Sequence, residues 1–280
     1  MRGINGDIDQ LWGQIMTNAQ SAWTVIVLAG QRPGVDRLAS HFGEELKALV
    51  PLDGEAMITR VVRTLHASSA VGRIVILSQA PERLRAAVEA GGGGELVESG
   101  GGISASINAI VGTDKAPWPV LVTTADHPLL TPQMVEAFLE GSVGADLNIG
   151  MVERGTMMAA FPQSQRTWLK FRDGHWSGAN LFTLTSERTL AALTLWAEAE
   201  QDRKVAWKLF LHFGPWLALR AITRTIGLGD ALGRAGQRLG LSVKLVAMSD
   251  PVAAIDVDKP SDHDLARAIL AARATGCANA

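Results

Sequence analysis

Residues 24–28, Thr-Val-Ile-Val-Leu, form a run that is apolar after its threonine, rich in β-branched side chains, and ended at once by Ala29-Gly30. Such a run lacks the alternation of a half-exposed strand, so both of its faces belong in a core. A parallel sheet covered by helices provides that environment, and the neighbouring sequence supplies the parts. Residues 73–77, 95–98 and 119–123 read as further strands, while 56–66, 81–90 and 103–111 carry apolar positions at helical spacing. Thr131 reads as a helix cap, with Pro132 at the first helical position and a helix running to about Gly141. Residues 44–50 suit a short helix or turn, Pro51-Leu52-Asp53-Gly54 a turn, and the four glycines at 91–94 a flexible break. This βαβα alternation predicts an α/β fold, a mostly parallel sheet sandwiched by helices.

The pattern changes after about residue 147. Residues 147–152 and 157–161 read as strands, and 168–176 with 180–183 as an antiparallel excursion. Residues 186–240, rich in Ala, Leu and Trp, are expected to be an added helical segment in the C-terminal half. A strand at 242–247 and a final helix from Ser261 through Ala272 follow. Residues 1–22 are expected to be a helical N-terminal extension, with 23–280 as a single domain. At 280 residues and 47% hydrophobic content, the chain has enough apolar material for one large core. A formal net charge of -2 argues against nucleic-acid binding through bulk charge. The single cysteine, Cys277, allows no disulfide framework within one chain and fits a reducing compartment. The first twenty residues lack a signal-peptide layout. The most apolar stretch, 209–219, is short and interrupted by His212 and Gly214-Pro215. A cytoplasmic protein without a transmembrane segment is expected.

Three separated motifs suit one nucleotide site. Leu28-Ala29-Gly30-Gln31-Arg32 places a glycine-containing basic loop after a strand, where ligands bind in parallel sheets. Gly30 lets the backbone approach phosphate, and Arg32, Arg37 and Lys47 can neutralise it. The loop is neither Gly-x-Gly-x-x-Gly nor Gly-x4-Gly-Lys-Ser/Thr, which weakens the dehydrogenase and phosphate-loop readings. Asp126 closes the strand Val122-Thr123-Thr124-Ala125, where a carboxylate can hold Mg²⁺ against substrate phosphates. Asp256-Val257-Asp258 puts two carboxylates on the same side of an extended segment, either of which can complete such a site. Each motif alone has an ordinary reading as a turn or a cap; together they point to one site. Gly102 and Ser104 open a helix whose N–H groups can contact base, ribose or phosphate. Lys170 and Arg172, beside the Gly-Ala-Asn turn of Asn180, can receive an anionic acceptor, or can be solvated charges on a hairpin. Arg203, Lys204 and Lys208, interleaved with Trp207, Phe210 and Phe213, read as a core-packed helix with snorkelling cations; a membrane-surface contact is the other reading.

With Lys47-Ala48-Leu49-Val50-Pro51-Leu52-Asp53-Gly54, Thr124-Ala125-Asp126-His127-Pro128-Leu129-Leu130 and Asp256-Val257-Asp258-Lys259-Pro260, the set resembles the MobA-like NTP-transferase family. That group includes molybdenum-cofactor guanylyltransferases and sugar- or polyol-phosphate cytidylyl- and guanylyltransferases. The resemblance is strongest over residues 23–140 and returns at 242–272. It implies a GT-A/Rossmann-like fold and transfer of an NMP from CTP or GTP to a phosphomonoester, with Mg²⁺ as cofactor and pyrophosphate released. The acceptor is then a phosphorylated small molecule, a lipid-linked one included. By motif, Leu28, Ala29, Gly30 and Arg32 would hold the nucleotide and Arg37 and Lys47 its phosphates. Asp126 would bind metal, helped by the closing segment, with Asp256 preferred over Asp258. Gln31 stands where the family loop often has a second glycine, and the segment to Arg37 is longer, with Pro33-Gly34 inside it. Two alternatives remain: a GT-A glycosyltransferase using Asp256-Val257-Asp258 on a nucleotide-sugar, and a catalytically silent nucleotide-binding regulator.

Overall fold

A computed structural model of the chain describes residues 22–31, 34–100, 102–201 and 214–276. The expected N-terminal helix (all but its last residue), Arg32, the basic aromatic stretch from Arg203 to Phe213, and Cys277 lie outside them. The described residues lay down ten strands: β1 (Trp23–Leu28), β2 (Pro51–Leu52), β3 (Glu55–Ala56), β4 (Val71–Ser78), β5 (Glu95–Glu98), β6 (Val120–Thr124), β7 (Leu147–Glu153), β8 (Leu169–Phe171), β9 (Gly174–Leu184) and β10 (Val243–Ala247). Eight form one sheet in the order β10-β7-β9-β6-β1-β4-β5, with β8 paired to β9. Strand β9 runs antiparallel to β6, β7 and β8, while the other pairings in this sheet are parallel. Strands β2 and β3 form a separate small hairpin whose turn residues Asp53 and Gly54 both have positive φ, 54° and 85°. That pairing suits an Asp-Gly turn.

The side chains of β1 decide how the sheet is covered. Val25 and Val27 join one large buried cluster; Ile26 joins a second on the opposite face. The same split separates Ile74 and Ile76 from Val75 and Leu77 on β4, and Leu121 from Val120 and Val122 on β6. The first face is covered by α2 (Met57–His66), α3 (Pro81–Ala90), α5 (Pro132–Gly141) and α10 (Pro260–Ala274); the second by α4 (Ile103–Ile110) and α7 (Leu190–Gln201). Thr131 caps α5 by accepting a hydrogen bond from the Met134 N–H at 3.2 Å. The added segment contributes α7, α8 (Pro215–Ile222) and α9 (Leu228–Arg238), and α9 packs on β10.

One expected strand is a helix. Residues 157–160 belong to α6 (Arg154–Ala160), and Phe161 is the residue that ends it. Strand β7 already ends at Glu153, whose carboxylate caps the new helix by accepting from the Gly155 N–H. Met157-Met158-Ala159-Ala160 consists of unbranched residues that favour helix. A short apolar run of this kind does not distinguish the two states by periodicity.

Candidate active site

The three separated motifs meet through backbone hydrogen bonds at the carboxyl ends of β1 and β6. The Ala29 N–H donates to the Leu77 carbonyl (2.8 Å), the Ala125 N–H to the Leu28 carbonyl (2.9 Å), and the Val257 N–H to the Asp126 carbonyl (2.9 Å). Residues 131 positions apart, Asp126 and Val257, are thereby placed side by side. Behind them the first helical turn of α10 is tied in: His263 Nε2 lies 2.8 Å from the Pro51 carbonyl, and the Asp258 N–H donates to Asp262 at 3.2 Å.

Lys47 lies at the centre. It sits in a 3₁₀ turn, Lys47–Leu49, and its side chain is only 15% exposed. The ammonium donates to Asp126 Oδ2 at 2.5 Å and also to Asp258 Oδ1. Burial pulls the lysine pKa down, but the charge and hydrogen bonds of Asp126, followed by those of Asp258, override it and raise the value above the usual lysine range. The other Asp126 oxygen, Oδ1, is buried and has no hydrogen-bond partner among the described residues. Buried carboxylate oxygens without a donor are uncommon in folded proteins.

Asp256 and Asp258 do not act as a pair. Asp258 reaches Lys47, whereas Asp256 is held by Arg166, which donates from Nη1 to its Oδ1 and from Nη2 to its backbone carbonyl at 3.2 Å. The Asn180 amide lies 3.5 Å from Asp256 Oδ2, and Arg166 Nη2 is also 3.9 Å from Asp262. Asp258 is the one that shares a cation with Asp126, while Asp256, the carboxylate preferred from sequence, pairs with Arg166. Burial raises the Asp256 pKa and the Asp258 charge adds to the rise, while Arg166 opposes both. Among the described residues no three Asp, Glu, His or Cys side chains gather as a ready-made cage; two carboxylates face one ammonium.

Gln31, a departure from the family pattern, has a defined role. Its side chain bridges the loop to the lysine turn, donating to the Glu45 carbonyl and accepting from the Lys47 N–H, each at 3.2 Å. Its own N–H donates to Gln79 Oε1 at 3.1 Å. A glycine here could make only the last of these contacts. A Cβ at Gly30 would lie 2.9 Å from both polar atoms of the Gln79 amide, so a larger residue there would displace that side chain from the loop. Gln79, Gln31 and Arg166 are the site residues that motif reading missed. Gln79 directly follows β4, and that position was the available signal; Arg166 lies in an irregular segment with none.

The remaining expected residues are more dispersed. Leu28 and Ala29 sit at the strand end. Arg37 is exposed at the first position of α1 (Arg37–His41), and its guanidinium makes no hydrogen bond or ion pair among the described residues. Gly102 caps α4 and Ser104 is fully buried in it. Lys170, Arg172 and Asn180 are not brought together. Lys170 is opposite His175, five residues and roughly 16 Å of strand from Asn180. Arg172 turns to the added helices, 3.6 Å from Asp230 of α9, and its N–H donates to the Ile226 carbonyl. Asn180 sits beside an irregularity in the β7–β9 pairing with φ of 52°, and its amide is directed at Asp256. His127, next to Asp126, is buried without a hydrogen bond of good geometry to either ring nitrogen. Burial lowers its pKa to about 4, with Asp126 and the Val252 backbone pulling weakly the other way, so the ring is neutral.

Over 86% of this chain and 99% of the other, the structure matches a hypothetical transferase from Thermus thermophilus at 28% identity with a TM-score of 0.71. It matches CMP:2-keto-3-deoxy-manno-octonic acid synthetase complexed with CTP at 16% identity and TM-score 0.55, over 90% and 99% of the two chains. For 4-diphosphocytidyl-2C-methyl-D-erythritol synthase from Anaerococcus prevotii the values are 10%, 0.52, 89% and 95%. These last two share the Rossmann-like α/β fold. Comparison with curated proteins gives no match. The MobA-like NTP transferase domain matches residues 25–209, so the chain belongs to that family and is an enzyme of the nucleotidyltransferase type.

Proposed function

We propose that the protein transfers an NMP from CTP or GTP to a phosphomonoester acceptor and releases pyrophosphate in a Mg²⁺-dependent reaction. The observation that carries this reading is the Lys47 ammonium held between Asp126 and Asp258, beside the strand end that leads into the loop at Gly30. Asp126, with its unpartnered buried oxygen, and Asp258, with a 63% exposed side chain, fit a magnesium ion of the usual kind, which takes one or two carboxylates and fills its shell with phosphate oxygens and water. When bound, that ion neutralises phosphate charge.

The chain's own residues do the rest. An acceptor phosphate oxygen bonds to the α-phosphorus as the bond from that phosphorus to the bridging oxygen breaks, and pyrophosphate leaves with the electron pair. A phosphomonoester has a second pKa of about 6 and is largely dianionic at neutral pH, so no general base is required. Lys47 and Arg37 supply positive charge toward the phosphates, and the backbone of Leu28, Ala29 and Gly30 supports the nucleotide. Gly102 and Ser104 are proposed to contact the nucleotide from the start of α4. Lys170 and Asn180 remain candidates for the acceptor side. The separate commitments of Asp256 and Asp258 weaken the glycosyltransferase alternative, which needs them as a pair.

The test is pyrophosphate release with Mg²⁺, each of the four NTPs and a mixed pool of phosphomonoesters. CTP comes first, because one structure of this fold is complexed with it. Release that depends on the acceptor and disappears in Asp126→Ala is the expected result; near-wild-type turnover in that variant would sink the proposal.

A further inference from the structure

The Asp126–Asp258 pair already holds a cation, the Lys47 ammonium. The contact is built rather than incidental. The lysine turn is fastened to the phosphate-side loop by Gln31, and the two carboxylates are fastened to each other's segments by the hydrogen bond from the Val257 N–H to the Asp126 carbonyl. The two anions therefore converge on an amine whose backbone is fixed. A divalent ion drawn to the same two carboxylates, through Asp126 Oδ1 included, would lie within a few ångströms of the ammonium, and the like charges repel. The amine has another place to go. It projects from a turn bonded to the loop that follows β1, so phosphates placed at that loop compete with the carboxylates for it.

We propose that Lys47 is a built-in stand-in for the divalent cation: without nucleotide it closes the Asp126–Asp258 pair against metal, and the triphosphate draws it away, so metal and NTP bind as a coupled pair. This inference rests on the nucleotidyltransferase reading of the site. It goes further by specifying the order of events: free metal is refused, and the complex of metal with nucleotide is accepted. The coupling is reciprocal, so metal strengthens nucleotide binding by the same factor.

Mn²⁺ binding to the full chain, followed by electron paramagnetic resonance without nucleotide, tests the inference independently of turnover. Lys47→Met keeps the stem and removes the charge. It is expected to bind Mn²⁺ about tenfold or more tightly than the wild type. Asp258→Asn added to that variant is expected to abolish the gain. Equal or weaker binding by Lys47→Met overturns the proposal, and so does a gain that persists in the double variant. Should Lys47→Met fail to fold, the wild type still decides: Mn²⁺ affinity that is no greater with α,β-methylene CTP or GTP than without either overturns it. A failed pyrophosphate assay would instead remove the transfer reaction and leave the Mn²⁺ comparison readable.

Discussion

Lys47 illustrates how little a residue type says before its neighbours are known. In sequence it is one cation after a basic loop. In space it is the group on which two carboxylates from distant segments converge. Lys47→Ala is expected to lower kcat/KM by at least about 2 kcal/mol of transition-state stabilisation, the scale of a lost oxyanion donor. Steady-state pyrophosphate release measures this, and an unchanged rate refutes a phosphate-gripping role. Asp258 was legible as a candidate, but not that it, rather than Asp256, shares Lys47 with Asp126. Alternation along an extended segment places i and i+2 on the same side. Arg166, 90 residues earlier, captures one of the two, and nothing in its local sequence announces that contact.

Capping and strand pairing act at the next scale. Thr131 satisfies an otherwise orphaned N–H at the start of α5, so Thr131→Ala is expected to lose about 1 kcal/mol of stability. Urea denaturation of the two proteins would show it as a lower midpoint with an unchanged slope. Asp146 ties the starts of β7 and β10 together, accepting from the Ser242 N–H at 2.8 Å and Oγ at 2.7 Å, and from the Ser186 Oγ at 2.9 Å. The Ser242 backbone bond, then the Ser242 hydroxyl, hold its carboxyl below the usual range. A depressed carboxylate contributes stability that is complete above the unfolded pKa of about 3.9 and is lost as pH falls through the lower folded value. Asp146→Asn should therefore flatten the decline in stability below about pH 4. Denaturation midpoints in acid that fall in parallel for variant and wild type would contradict this. Most elements were readable from periodicity and turn residues. Residues 157–160 were not, because a short apolar run does not separate helix from strand, and β7 already ends at Glu153, whose carboxylate caps the helix.

The whole molecule joins a family-matched region ending at residue 209 to a C-terminal part that supplies β10, the Asp256–Asp258 segment and α10. Because half of the proposed metal site comes from each part, ligand binding should stabilise the chain as a unit. NTP with Mg²⁺ at about 100 times Kd is expected to add about 2.7 kcal/mol. Thermal unfolding should show a higher midpoint with both ligands, and Asp258→Ala should lose the rise; an equal rise in that variant would place the ligands elsewhere. No helix among the described residues is long and apolar enough to cross a membrane. The sequence by itself determined the α/β class, the strand-end placement of Gly30 and Asp126, and the kind of chemistry, because apolar periodicity and local backbone geometry act over a few residues. Only the tertiary structure decided which carboxylate shares Lys47, that Gln31 fastens the loop, and that Arg166 neutralises Asp256. Those outcomes depend on contacts between segments up to 211 positions apart, which no local pattern records.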